Sequence, residues 1–418
     1  MAVSPADLES IDVASQEVWE RGVPHEEFRL LREHDPVHWH PWPWTGGGFW
    51  ALTKHADVVA VSKDWETFSS AEGHIYLWEL EPDALEARRS LIETDPPAHS
   101  RLRRIVSSAF TPKKVREYET YTRDIAGELL DRAITAGEFD WVAGIAAPLP
   151  INVLVSILGV PDEDAPMMIE LTNHLAEGTS DLPLDPSAYG NTTPLRLLPF
   201  NSPASWALFE YGRKIGEERR RNPADDLVSR LVHADVDGDR LTDAEYTNFF
   251  QLLVFAGNET TRTGISQGML ALMQHPEEFA RLFDDPGLAT TAADELVRYA
   301  TPVLYFRRTA MRDTEIRGVE IRAGDKVVMW YISANYDEEV FDEPYRLDLG
   351  RRPNEYVAFG GGGPHYCLGA FLAQLELRVL LEEIVERRIR FELAGEPKRL
   401  RSNFVNGVES MPVRVVRA

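Results

Sequence analysis

Thr242-Asp-Ala-Glu245 is a capping-box sequence, and the apolar pattern behind it runs on until His275-Pro276. Threonine at the cap and glutamate three residues later satisfy each other's backbone donors, and a proline stops a helix at the residue before it. The pattern predicts one helix from Asp243 to His275, 33 residues and roughly 50 Å long at 1.5 Å per residue. A compact chain of 418 residues has a radius of gyration of about 22 Å. Such a helix crosses the whole molecule, and the rest of the chain must pack around it. Phe249 to Ala256 is apolar on nearly every face apart from Gln251, as expected for a helix buried all round.

The middle of that helix reads Ala256-Gly-Asn-Glu-Thr-Thr261. An acid and two hydroxyls there are costly without a purpose. Gly257 removes a side chain and leaves a notch. Thr260 can bond back to the carbonyl four residues earlier, bending the helix and opening a polar groove. Glu259 beside it can pass protons inward. A kinked structural helix would use the same residues, so the pattern gains weight only from its company.

The one cysteine, Cys367, sits in Phe359-Gly-Gly-Gly-Gly-Pro-His-Tyr-Cys-Leu-Gly369. Alone it makes no internal disulfide, and an isolated cysteine is more often a buried inert thiol than a reactive one. The glycines let backbone approach a flat ligand closely. Leu368 to Arg388 then predicts an amphipathic helix, which places the thiol at a helix N-terminus, where the thiolate is favoured. A thiolate with one open side suits a haem iron. The glycines match neither the dinucleotide fingerprint nor a phosphate loop ending in Gly-Lys-Ser/Thr.

Elsewhere, residues 36 to 61 and 314 to 333 predict strand and turn, and residues 95 to 290 are mostly helical in pattern. Residues 181 to 205 hold prolines at 183, 186, 194, 199 and 203 and predict a long loop of the kind that serves as a lid. The expected fold is mainly α with a smaller β region. Neither repeats nor a dividing linker breaks the chain, so residues 1–418 are expected to form one domain. The net charge of −24 argues against nucleic acid and anionic membrane as partners. One cysteine and an N-terminus without a basic segment followed by an apolar one point to the cytoplasm. A basic stretch, Arg101, Arg103, Arg104, Lys113, Lys114 and Arg116, is either a solvated helix face or a docking patch for an acidic protein.

Taken together, these segments resemble the cytochrome P-450 family of haem-thiolate monooxygenases. Cys367 matches the axial ligand and Ala256-Gly-x-Glu-Thr-Thr261 the oxygen-activation motif. Glu295-Leu-Val-Arg298 matches the family's Glu-x-x-Arg pair. Asp342-Glu-Pro-Tyr-Arg346 matches the segment whose arginine joins that pair, and Asp95-Pro-Pro-Ala-His-Ser-Arg-Leu-Arg103 a further family stretch. Glu-x-x-Arg alone carries nothing here, since Glu86/Arg89, Glu217/Arg220 and Glu259/Arg262 share the spacing. The order and separation of all five carry the resemblance.

The resemblance implies a P-450 fold with the long helix over haem b. Cys367 would be the iron ligand. His99, Arg103, Arg308 and His365 would bind the propionates, with Arg308 preferred to Arg307. Ala256, Gly257, Phe359, Gly360 and Gly369 would contact the cofactor. Glu259 and Thr260 would handle protons and O₂, while Glu295, Arg298 and Arg346 would form a structural triad. Leu252, Phe255, Val303, Leu304, Phe404 and Val405, with the patch Ile75, Tyr76, Leu77 and Trp78, are expected to meet an apolar substrate. Phe359 stands one residue further from the cysteine than is common in the family. That longer loop is similar to the loops of actinobacterial members acting on sterol side chains, branched lipids and terpenoids. The implied reaction is hydroxylation with O₂ and two electrons from an acidic ferredoxin-type donor and its reductase, by a monomer. A peroxide-driven peroxygenase and a non-catalytic haem sensor are the alternatives.

Overall fold

The segment from 36 to 61 divides into two strands and a helix. β1 (Val37–Pro41) and β2 (Gly48–Leu52) pair antiparallel, with Trp39 opposite Trp50. His55–Lys63 is a helix, α1, where the sequence pattern predicted strand and turn. Val58 and Val61 stand three residues apart and are both buried, and Asp337 accepts the His55 N–H at 2.8 Å. That bond satisfies one of the donors a helix leaves open at its start. β3 (Phe68–Ser69) follows as an edge strand. The computed structural model describes residues 5–42, 47–180, 197–198, 202–235 and 238–417. Gly46, expected in the β1–β2 turn, lies outside them.

The helical part then builds up in order: α2 (Ala98–Val106), α3 (Glu119–Ala136), α4 (Pro148–Leu158), α5 (Ala165–Ser180) and α6 (Pro203–Arg221). Of the expected proline-rich loop, residues 181–196 and 199–201 lie outside the described residues. Its last proline is not loop at all: Pro203 opens α6 behind the N-cap Ser202, a position where the missing N–H costs nothing.

α7 (Asp243–Gln274) is the long helix. Its capping box is formed in both directions, the Thr242 N–H donating to Glu245 Oε2 at 2.7 Å and the Glu245 N–H to Thr242 Oγ1 at 3.2 Å. It packs against α4, α5 and α6, against α8 (Ala289–Ala300), and against a late helix, α9 (Ala370–Glu386). The core between these helices holds Leu149, Phe250, Leu272, Leu296 and Leu380, all buried.

β4 (Tyr305–Ala310) and β5 (Lys326–Trp330) complete a five-stranded sheet in the order β1-β2-β5-β4-β3. Only the β2–β5 pair is parallel. Within the region expected as strand at 314 to 333, Thr314–Ile316 and Val319–Ile321 form a separate hairpin. Beyond β5, Tyr331–Ala334 turns helical. A second core lies against this sheet, with Trp19 stacked on Trp330 at 5.7 Å and Tyr305 and Phe28 beside them.

The expected triad is present with one substitution of membership. Glu295 and Arg298 are fully buried on α8 and meet through two hydrogen bonds of 2.8 Å. The third member is Arg351, whose Nε lies 3.1 Å from Glu295 Oε1. Arg346 is 61% exposed and reaches only Glu343. The turn after Phe341 leaves Arg346 outside and folds Arg351 back, its guanidinium donating to the carbonyls of Asp342, Glu343 and Arg346.

Candidate active site

Cys367 lies three residues before α9, which begins at Ala370 with Gly369 as its cap rather than at Leu368. The Cys367 N–H donates to Phe359 O at 2.9 Å, closing the glycine loop. Gly360, Gly362 and Gly363 hold φ of 97°, 94° and 76°, a region closed to most side chains. A Cβ on Gly361 would stand 2.7 Å from Ser62 Oγ and 2.9 Å from Val59 Cα, so the loop is pressed onto α1. The four glycines thus fit the loop between the ligand side and that helix.

The sulfur accepts N–H groups from Gly369 and Ala370. Burial pushes the Cys367 thiol up, while these two donors and Arg103 favour the thiolate. Its surface is nonetheless accessible: protein encloses the group, but one side is open. A metal ion on that side deprotonates such a thiol outright.

Beside this sulfur gather two arginines and two histidines. His99 and Arg103 come from successive turns of α2, Arg308 from β4, and His365 from the glycine loop. The His99 and His365 rings are 4.4 Å apart. Burial, with His365 and Arg103 nearby, pushes His99 down to about 3, and burial also lowers His365. A carboxylate among the described residues here is Asp95, which burial would raise. The His365 ring at 3.9 Å, Ser69, and the N–H groups of Ser70 and Ala71 hold it at about 2 instead. Among the described residues neither Arg103 nor Arg308 has a carboxylate within 4.0 Å, and His99 Nδ1 and His365 Nε2 are buried without hydrogen-bond partners. Two desolvated arginines without a carboxylate, and two buried ring nitrogens without partners, need an anionic or hydrogen-bonding group. The two propionates of a haem supply such groups, so the residues fit the cofactor. Arg307, on the opposite face of β4 from Arg308, is committed to Glu79 at 3.0 Å.

In its middle, the long helix α7 exposes Ala256 amid buried neighbours. Thr260 Oγ1 donates to Ala256 O at 2.6 Å, the back-bond expected from the sequence. Glu259 is buried, which pushes its carboxyl up, with Arg262 Nη1 at 3.4 Å opposing. Gly257 does not open the notch expected of it. Its Cβ would meet Leu154 of α4 at 3.4 Å, an ordinary helix contact.

A cavity beside α7 is lined by Leu252 and Phe255, as expected, and by Ile75, Tyr76 and Trp78. Leu77 turns instead into the sheet-side core. Leu304, Phe404 and Val405 belong to that core too, at 0%, 4% and 1% exposure, and are not open lining residues. The backbone explains it: the Leu304 N–H donates to Phe404 O at 2.9 Å, and Val303 bridges Val405. Val303 is only partly buried, and Phe404 touches Tyr76 edge-on at 4.5 Å. The sequence reading missed a polar side to this cavity, formed by His74, Arg88, Ser90, Glu93, Asn248 and Gln251. Apart from Gln251 in the long helix, no periodicity marked them. The basic stretch is also smaller than its sequence suggests, since Arg101 pairs with Asp239 and Glu245, and Lys114 with Glu117.

A cysteine whose thiolate is favoured, arginines without a carboxylate and orphaned histidine nitrogens beside it, and an acid–threonine pair within a long helix together define a haem-thiolate oxygenase. The cytochrome P450 family model matches residues 48–285 and 288–408, and this chain belongs to that family. It is 38% identical to the steroid C26-monooxygenase of Mycolicibacterium smegmatis, over 98% of this chain and 94% of that protein. It is 40% identical to the methyl-branched lipid omega-hydroxylase of Mycobacterium tuberculosis, over 97% of this chain and 95% of that one. Among solved structures, Mycobacterium marinum cytochrome P450 CYP268A2 in complex with pseudoionone superposes with a TM-score of 0.85 at 41% identity. That match covers 99% of this chain and 100% of the other. Members of this family carry haem ligated by a cysteine thiolate and act as monooxygenases.

Proposed function

We propose that this protein hydroxylates an apolar lipid, of the steroid, branched-chain or terpenoid kind, with O₂ and two electrons. The single observation that carries the reading is the group gathered at Cys367, where, among the described residues, two arginines without a carboxylate and two buried histidine nitrogens without hydrogen-bond partners lie. Gly369, Ala370 and Arg103 favour the Cys367 thiolate, and the long helix carries the Glu259–Thr260 pair. Bound there, haem supplies dioxygen activation and C–H oxidation. His99, Arg103, Arg308 and His365 hold its carboxylates. The Gly369 and Ala370 N–H groups steady the charge on the Cys367 sulfur. Thr260, tied to Ala256 O, positions its hydroxyl over the open side. Glu259, whose carboxyl burial pushes up while Arg262 opposes, relays protons toward it. Leu252, Phe255, Ile75, Tyr76 and Trp78 exclude water and hold the hydrocarbon.

The relatives' printed substrates, steroids and methyl-branched lipids, support the choice of substrate. The cavity's aromatic and aliphatic lining supports it independently. Haem-side residues drawn from 99 to 369 support one domain over 1–418. No helix among the described residues is long and apolar enough to cross a membrane, and the lone cysteine supports a cytoplasmic site of action. We assign electron delivery to an acidic ferredoxin-type protein, received by a monomer on the side of Cys367. Arg104, Lys113 and Arg116 remain exposed there.

The test is turnover with O₂ and a reductant. The wild type should form hydroxylated product, and Thr260→Ala should send electrons to hydrogen peroxide with product falling several-fold. Product formed only from added peroxide would make the protein a peroxygenase. No product by either route, with electron use unaffected by Thr260→Ala, would make it a haem sensor.

A further inference from the structure

Asn335 carries no charge and is 0% exposed, yet it bonds three separate segments at once. Its backbone N–H donates to Tyr331 O at 2.9 Å, and its carbonyl accepts Arg298 Nη1 at 2.7 Å. Its side-chain Nδ2 donates to Thr301 Oγ1 at 2.8 Å, and its Oδ1 accepts the Val357 N–H at 2.7 Å. A buried amide is costly unless both of its ends are used, and here both are.

Each end of that bridge is a place where the backbone needs fixing. Thr301 follows α8 and holds a φ of 39°. A β-branched residue in that left-handed region is strained and persists only where its surroundings hold it. Its hydroxyl hydrogen goes to Arg298 O at 2.7 Å, so toward Asn335 the Thr301 oxygen is an acceptor. Val357, itself buried, stands at the entrance to the glycine loop. Its carbonyl accepts the Gly360 N–H at 2.8 Å, and two residues on, Phe359 O accepts the Cys367 N–H. Through Val357, Asn335 joins the loop that carries Cys367 to the end of the helix that carries Glu295 and Arg298.

We propose that Asn335 is a positioning residue for the iron ligand: it fixes the entry to the cysteine loop and so holds the Cys367 sulfur against the Gly369 and Ala370 N–H groups. The proposal rests on Cys367 as the haem ligand. Side-chain chemistry singles out asparagine at this spot. Aspartate has no donor for Thr301 Oγ1, and leucine leaves the Val357 N–H buried without an acceptor. Either change removes the anchor of the loop while the bond from Arg298 to the backbone carbonyl remains.

Asn335→Asp and Asn335→Leu holoenzymes are reduced under carbon monoxide, and the decay of the absorption band that marks a thiolate ligand is followed in moderate urea. Tryptophan fluorescence follows unfolding in the same samples. Loss of one well-made hydrogen bond should hasten the decay about tenfold, at urea concentrations where fluorescence still reports folded protein. An asparagine that served the core alone would lose the band and the fold together. Thr301→Val should behave like Asn335→Asp, and Thr301→Ser, which keeps the hydroxyl, should match wild type. This Thr301 pair carries the test if the Asn335 variants do not fold. Decay at the wild-type rate in folded Asn335→Asp, or a band lost only in step with unfolding, overturns the proposal. Equal decay in Thr301→Val and Thr301→Ser overturns it too. A wild type without the thiolate band would overturn the assignment of Cys367 and the proposal with it, so the two failures are distinguishable.

Discussion

Glu376, on the inner face of α9, is 2% exposed, and its Oε2 has no hydrogen-bond partner. Burial raises its carboxyl from the ordinary 4.5 to about 8. Between those values the folded chain holds a proton that the unfolded chain has released. Stability therefore falls as pH rises from about 4.5 to about 8 and is level outside that window. The limiting slope for one group is about 1.4 kcal/mol per pH unit. Glu376→Gln removes this contribution. Denaturant unfolding should show the variant more stable than wild type at pH 8.5, with the difference shrinking toward pH 4.5. A constant difference at both pH values would mean that Glu376 finds a partner when ionised. The residue scale is also where single atoms choose roles, as for Arg308 and Arg307. Neighbours in sequence, they point to opposite faces of β4, one toward the unpaired cations and one toward Glu79.

At the scale of elements, two joints hold the site together. The first is the buried pair on α8, completed by Arg351. Arg351→Ala leaves Glu295 short of a cation where water does not reach, and should cost about 3–5 kcal/mol in denaturant unfolding. Arg346→Ala removes an exposed pair and should leave the midpoint unchanged. The reverse order would restore Arg346 to the triad. The second joint is the glycine loop against α1. Gly361→Ala places a methyl group within 3.0 Å of Val59 and Ser62 and should cost about 1–3 kcal/mol. Because the loop carries Cys367 and His365, haem content after purification should fall with it. Motif reading placed the triad's third arginine five residues early, because Arg346, Arg351 and Arg352 all follow the same turn and only the fold shows which one reaches Glu295.

At the scale of the whole molecule, charge is arranged against the chain's average. The net charge is −24, but Arg104, Lys113 and Arg116 remain exposed on the stretch that carries the Cys367-side helix α2. An acidic donor would be drawn to such a patch, and salt would weaken the attraction over a Debye length of about 8–10 Å. Lys113→Glu together with Arg116→Glu should slow reduction by an acidic ferredoxin several-fold at low salt and reduce the salt dependence. Stopped-flow reduction measures both, and unchanged rates would place the donor elsewhere.

The sequence by itself determined the long helix, the cysteine loop and the back-bonding threonine beside its acid. Each is local: a capping box, a run of glycines, and a residue with its neighbour four positions on. Local signals of this kind are fixed by backbone geometry and survive whatever packs around them. The tertiary structure alone decided which arginine joins Glu295, that Leu304, Phe404 and Val405 are core, and that Gly257 faces Leu154. It alone gathered His74, Arg88 and Glu93 onto one wall with Gln251. Those outcomes depend on contacts between segments distant in the chain. No periodicity records them, because burial is a property of the assembled surface and not of the residue.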